Sequence, residues 1–295
     1  MRKAYLILIL VFGLFLNACN NNKETSTEPE SITVDDSSYL GQKPPGLIPE
    51  LFAPGTVSTT NNLEIEGVFA PGMKEFYFTR QVEGEAPKMH TIQYIKDAWQ
   101  ESEEERPKGE VSIAPDGKTM YLANEYRERT ASGWSEKKRL ATIFDKYPIM
   151  RLTTSATGTY VFDERDTIGT IRYSRLVDGQ REAPKAYDEV INSGNWTAHP
   201  FIAPDERYII WDSELPGGYG GPDLYISFRQ EDGTYGPAIN MGAEINSEVD
   251  DAYGSITPDG KFFMYHRVYL GETFADCHAD IYWVDAQIIE TLKPQ

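Results

Sequence analysis

Residues 113–122, IAPDGKTMYL, and residues 256–265, ITPDGKFFMY, share one local design: an apolar residue, a Pro-Asp-Gly turn, then aromatic and branched side chains. Proline, aspartate and glycine in that order fill a type I turn, because proline presets the backbone angle, aspartate bonds to the backbone ahead and glycine closes it. The residues that follow suit a half-buried or buried strand. Each stretch therefore reads as a β-hairpin.

The hairpin recurs. Residues 69–78 (FAPGMKEFYF), 154–162 (TSATGTYVF) and 202–211 (IAPDERYIIW) align with the first two, anchored at Pro71, Pro115, Ala156, Pro204 and Pro258. These positions are 44, 41, 48 and 54 residues apart. A period in this range is the mark of a repeat architecture. A third strand follows in most repeats, at 91–95, 170–176, 223–228 and 280–284. The Pro-containing stretches 184–190 and 237–244 supply a fourth, and Ile191-Asn192-Ser193 and Ile245-Asn246-Ser247 precede the next unit. Four antiparallel strands per repeat make a propeller blade. The expected fold is all-β, a β-propeller of five blades, with six as the other count. Residues 49–60 look like an outer strand with no blade before it, and the fifth repeat lacks one after Asp285. An N-terminal strand should therefore close the ring and hide its sheet edges.

At these residues the chain resembles the WD-like propeller repeats of TolB-type periplasmic proteins, over about residues 49–285. The Pro-Asp-Gly hairpins carry the likeness, together with Asp223-Leu224-Tyr225 after the glycine-rich stretch 217–221. The third repeat, with Ala156-Thr157-Gly158, departs from the pattern. The resemblance implies a fold more than a function, since members include interaction platforms, sensor and peptidase-associated domains, and lyases acting on oligogalacturonides.

The N-terminus reads as an export signal. Arg2 and Lys3 precede an apolar stretch at 5–16, too short to span a bilayer, which needs about 20 residues. Leu16-Asn17-Ala18-Cys19 resembles a bacterial lipobox, with Cys19 the lipidated residue. The expected organisation is a signal peptide over 1–18, a flexible tether over 19–44 rich in Asn, Ser, Thr and Glu, and a propeller over 45–292. The expected location is the bacterial cell envelope, held to a membrane by lipid alone. Cys277 is the one other cysteine, so stability must come from the core.

The formal charge of −18, with no basic stripe, argues against a nucleic-acid partner. Counting back from each turn gives equivalent inner-strand positions: Glu66, Glu110, Arg151, His199 and Tyr253. Five such positions holding carboxylates, a guanidinium, an imidazole and a phenol form a ring at the channel mouth, suited to a polar ligand or to mutual pairing. Arg151 would hold a negative group and Tyr253 would stack on a sugar face. The second strands end at the same mouth, giving a rim of Arg80, Asn124, Glu164, Asp212 and Arg267.

Other tracts carry less. Residues 217–222, GGYGGP, precede a strand and so lack the helix dipole of a phosphate loop. Asp276-Cys277-His278 with Asp280 has no second cluster to complete a metal site. Neither a metal nor any other cofactor is expected. The run Glu101–Glu105 reads as a solvated outer loop. Two functions compete: a monomeric binding module for a polar small molecule, glycan, peptide or protein partner, and an enzyme on acidic oligosaccharides. The lyase likeness implies a metal held by several histidines, and this chain has 4, with no Gly-x-Ser-x-Gly elbow. The binding module is the reading the sequence favours.

Overall fold

The computed structural model describes residues 38–165 and 168–294; the expected signal peptide, Cys19 and most of the expected tether lie outside them. The protein is a β-propeller. Its first blade consists of Leu63–Phe69, Glu75–Gln81, Lys88–Ile95 and Ala98–Glu105, paired antiparallel in sequence order. The second is built on Val111–Ile113, Thr119–Leu122, Glu125–Thr130 and Lys138–Arg139. The third comprises Ile149–Thr154, Tyr160–Glu164, Ile171–Ser174 and Lys185–Ala186. The fourth comprises Asn195–Ile202, Tyr208–Glu214, Asp223–Phe228 and Ile239–Asn240.

The fifth set takes its outer strand from the other end of the chain. Asp250–Ile256, Phe262–Tyr269 and His278–Asp285 are joined by Glu50–Leu51, which pairs antiparallel with Trp283 and Tyr282. Phe52 follows it into a fully buried position against Phe69, Phe76 and Trp283. The inner strands of successive blades pack side by side, and the first blade's inner strand meets the fifth blade's second and third strands. Burying one aromatic between two blades gives the chain's beginning a place in the core of its end.

The folded body starts earlier than the sequence suggests. Tyr39 is buried, packs on Phe69, Phe262 and Trp283, and donates its hydroxyl to Asp259 in the fifth Pro-Asp-Gly turn. Gln42 bonds both the carbonyl of Leu51 and the N–H of Ala53. A large ring with apolar surface to bury draws this segment into the body before residue 45. A short helix, Gln287–Leu292, ends the described chain and was not signalled by the repeat. No helix among the described residues is long and apolar enough to cross a membrane.

The second repeat also has a third strand, Glu125–Thr130, that its composition disguises. It is charged and half exposed. It is fastened from the neighbouring blade: Arg129 grips Glu75 with two bonds of 3.0 and 2.9 Å and lies 3.8 Å from the Trp134 ring centre. Trp134 in turn donates to the Tyr77 hydroxyl at 2.8 Å. The two Ile-Asn-Ser elements act alike. Asn246 Oδ1 accepts the Leu224 N–H while its amide donates to the Leu224 carbonyl, and Asn192 treats Ile171 the same way. An asparagine side chain matches a peptide unit in donors and acceptors, so it extends the ladder where the backbone turns away.

Candidate functional site

In four blades the antiparallel register breaks at the expected inner-strand position, between Ile65 and Val68, Ile149 and Leu152, Ala198 and Phe201, and Ala252 and Ser255. Each break is a bulge, which re-aims a side chain out of the strand's alternation. Glu66, His199 and Tyr253 sit there with φ of 63°, 49° and 63°, a left-handed backbone that non-glycine residues seldom adopt. Glycine or proline follows each of them and accommodates the bulge: Gly67, Pro200 and Gly254.

The bulges bring most of the expected ring together. His199 Nε2 lies 3.2 Å from Glu110 Oε1, and its Nδ1 lies 2.9 Å from Asp212 Oδ1. The His199 and Tyr253 rings are 5.8 Å apart, centre to centre. The Arg151 guanidinium covers Tyr253 at 3.6 Å and donates to the carbonyls of His199 and Gly254 at 3.0 and 3.4 Å. Glu66 is bonded by Thr79 and paired with Arg106, a residue the sequence reading missed. Its only signal was that a basic residue closes the acidic run 101–105.

Two expected roles do not survive this geometry. Tyr253 has no face for a sugar, because Arg151 covers one side and His266 stacks against the ring at 5.8 Å and 17°. Its hydroxyl donates to the Val111 carbonyl at 2.6 Å. Arg151 is 1% exposed, so it supports the ring from beneath instead of gripping a ligand's charge. Both are long side chains buried between inner strands, and Arg151 thereby satisfies the His199 and Gly254 carbonyls at two of the bulges.

A second tier of residues, one strand outward, holds the first. Asp163 accepts the backbone N–H groups of Arg151 and His199 at 2.7 and 2.8 Å. Asp212 accepts that of Tyr253 at 3.0 Å, and His266 Nδ1 that of Glu66 at 3.1 Å. Each of these three occupies the same position on its blade's second strand and ties down the next blade. Asp212 is fully buried in the ring, so its expected place on the rim is corrected.

The remaining rim residues hold loops. Arg80 bonds Glu64 at 2.8 Å and the Thr56 carbonyl at 2.7 Å, which fastens the closing segment to the first blade. Asn124 donates to the carbonyls of Phe144 and Tyr147 at 3.0 and 3.1 Å. Glu164 pairs with Arg172, and Arg267 bonds Asp251 and the Ile245 carbonyl. The histidines do not converge as a cluster. His90 pairs with Glu101 on the first blade and His278 with Asp280 on the fifth; only His199 and His266 approach, with ring centres 6.4 Å apart.

Charge follows from these contacts. Burial alone would drive His199 toward the neutral form, but Asp212 and Glu110 outweigh it and raise its pKa well above the usual imidazole value. Burial would likewise raise Glu110, yet His199, Arg151 and Arg106 hold it below the ordinary carboxylate range. Glu66 is pushed up by burial and by Glu110, against the pull of Arg106. Asp163 is pushed up to about 6 by burial and then by Glu110. His266 is pushed down to about 3 by burial and the neighbouring His199 charge, as its role of accepting an N–H requires.

Solvent reaches this assembly at two side chains, His199 and Arg106, which are 19% and 24% exposed; Glu66 and Glu110 beneath them are 7% and 4%. Of the 9 buried side-chain polar atoms without a hydrogen-bond partner among the described residues, Glu110 Oε2 and Arg151 Nε belong to this assembly.

No protein-family model and no curated protein matches the sequence. Among solved structures the chain is similar to TolB from Acinetobacter baumannii, at 14% identity and a TM-score of 0.48, covering 78% of this chain and 59% of that one. It is also similar to the catalytic domain of the GH62 α-L-arabinofuranosidase of Coprinopsis cinerea, at 9% identity and a TM-score of 0.47, covering 82% and 97%. A third likeness is to the periplasmic gluconolactonase of Pseudomonas aeruginosa, at 11% identity and a TM-score of 0.39, covering 73% and 70%. The chain thus spans less than two thirds of the TolB chain's length. At these values the strand pairing of this chain carries the architecture, and no activity is carried across.

Proposed function

We propose that the chain is an exported, lipid-anchored binding module whose channel mouth takes a small polar ligand or the polar tip of a larger partner. The observation that carries this reading is the open edge of the ring. His199, held cationic between Glu110 and Asp212, and Arg106, paired to Glu66, present donors and acceptors side by side to solvent. Behind them lie the unpartnered Glu110 Oε2 and Arg151 Nε.

The competing reading, an enzyme on acidic oligosaccharides with a histidine-held metal, has no specific support in this geometry. Both His199 nitrogens face carboxylates, and His266 Nδ1 is taken by a backbone N–H. Arg2-Lys3, the apolar stretch and Cys19 support export and anchoring to a membrane of the cell envelope.

The test uses the detergent-solubilised full chain in thermal-shift screens against oligosaccharides, short peptides and divalent metals. A ligand should raise the melting temperature by mass action, and His199→Ala should remove the shift while keeping the strand content. A shift from metal alone, or none from any class, would overturn the reading. For the anchor, Cys19→Ala should move the protein out of the membrane fraction; sedimentation after a salt wash would mean another anchor.

A further inference from the structure

Three aromatic side chains among the described residues are exposed, Trp196, Tyr219 and Tyr269, at 51%, 49% and 39%. All three lie at the mouth end of adjacent blades, opposite the Pro-Asp-Gly turns. Trp196 is the second residue of the fourth blade's inner strand, three residues before His199. Tyr219 lies in the loop after that blade's second strand. Tyr269 ends the fifth blade's second strand.

Two of them are held in place by their backbone surroundings. Trp196 has φ of 52°, and the register breaks between Asn195 and Ala198 around it. A bulky residue in the left-handed region is rare, and such strain gathers at functional sites. The Tyr219 loop is clamped at its back. A Cβ at Gly220 would collide with the Ser247–Glu248 backbone, and one at Gly221 with the Asp250 carboxylate. The Tyr219 N–H also donates to Asp223 at 2.8 Å. The glycines thus allow a close backbone approach that fixes the loop and turns its one aromatic outward.

We propose that the mouth binds a neutral pyranose oligosaccharide, whose sugar faces stack on Trp196 and Tyr219 while its hydroxyls reach the His199–Arg106 edge. The inference deepens the binding reading above and rests on it. A pyranose presents a flat face of C–H groups, partly positive, which suits the negative face of an aromatic ring. Its hydroxyls both donate and accept, matching a mouth that offers a cation and carboxylates together. Neutrality follows from the surroundings. Glu214 ends the strand that leads into the Tyr219 loop, and Glu248 and Asp250 lie against Gly220 and Gly221 of that loop; together they would repel a uronate.

The experiment measures binding of neutral tetrasaccharides of glucose, galactose, mannose and N-acetylglucosamine, and of tetragalacturonate, to the detergent-solubilised full chain. Tryptophan fluorescence reports on the protein and saturation-transfer NMR on the sugar protons. At least one neutral sugar should bind, and tetragalacturonate more weakly. Trp196→Ala and Tyr219→Ala should each weaken binding about tenfold with an unchanged melting temperature, and Trp196→Phe should restore most of it. No binding by any neutral sugar, or binding indifferent to both alanine variants, overturns the inference. A peptide ligand lost in His199→Ala but untouched by Trp196→Ala sinks the sugar and leaves the mouth reading. A sugar sensitive to Trp196→Ala but not to His199→Ala confines binding to the aromatics and sinks the mouth.

Discussion

His199 Nδ1 stands 2.9 Å from Asp212 Oδ1, and that same carboxylate oxygen accepts the backbone N–H of Tyr253 at 3.0 Å. One buried carboxylate therefore charges the ring's open member and sets the next blade's inner strand. Site electrostatics and blade packing are one structure here, and perturbing either should be felt in both.

The charge on His199 has a definite pH consequence. Its folded pKa is raised, so its contribution to stability is whole below the unfolded value of about 6.5, declines above it, and is gone above the folded value. Unfolding of the wild type and His199→Gln should be compared from pH 5 to 9. The stability gap should narrow as pH rises; a gap constant across the range would mean that folding does not raise the imidazole's pKa, and one that widens with pH would mean the imidazole is neutral in the fold.

Asp163 makes the opposite kind of test. Its pKa is raised to about 6, so the native state gains stability from it as pH falls from there toward the ordinary carboxylate range near 3.9. Neutralising it by Asp163→Asn should nevertheless destabilise. An amide nitrogen cannot accept, which orphans the N–H of Arg151 or His199 at about 1–3 kcal/mol. A variant more stable than wild type at neutral pH would show that the charge matters more than the two bonds.

Ring closure should answer to one side chain. Phe52 is fully buried among Phe69, Phe76 and Trp283, so Phe52→Ala should lower stability by about 3–5 kcal/mol. Denaturant unfolding checks this. A loss within about 0.5 kcal/mol, the range of surface substitutions, would mean that the N-terminal segment adds little to the fifth blade.

The asparagine clamp should resist even the closest substitution. Asn246→Ala leaves the Leu224 N–H unbonded in a buried site, for about 1–3 kcal/mol. Asn246→Asp keeps the acceptor but loses the donors to Leu224 and Asn240, so it should not rescue the melting temperature. Full rescue by aspartate would reduce the clamp to its single accepted bond.

The hairpins were legible because each is a local decision. Pro115-Asp116-Gly117 turns the chain whatever surrounds it, and Phe262–Tyr265 buries its aromatics in any sheet that forms. Repetition then carried the register to Glu66, His199 and Tyr253, since equivalent positions in a repeat face the same way. The Glu125–Thr130 strand was not legible, because its order comes from Arg129 reaching Glu75 on another blade and not from its own apolar content.

By itself, then, the sequence determined the hairpin, its period and the residue types that reach the channel. Only the tertiary structure decided which of them meet solvent. Tyr253 and Arg151 are covered because a guanidinium and a phenol from different blades pack at 3.6 Å, a contact 102 positions apart that no local rule ranks. Asp163, Asp212 and His266 become supports because the bulges free backbone N–H groups on the following blade. Burial is a property of the closed ring, and a linear pattern can name its lining without saying which side chains are left at the mouth.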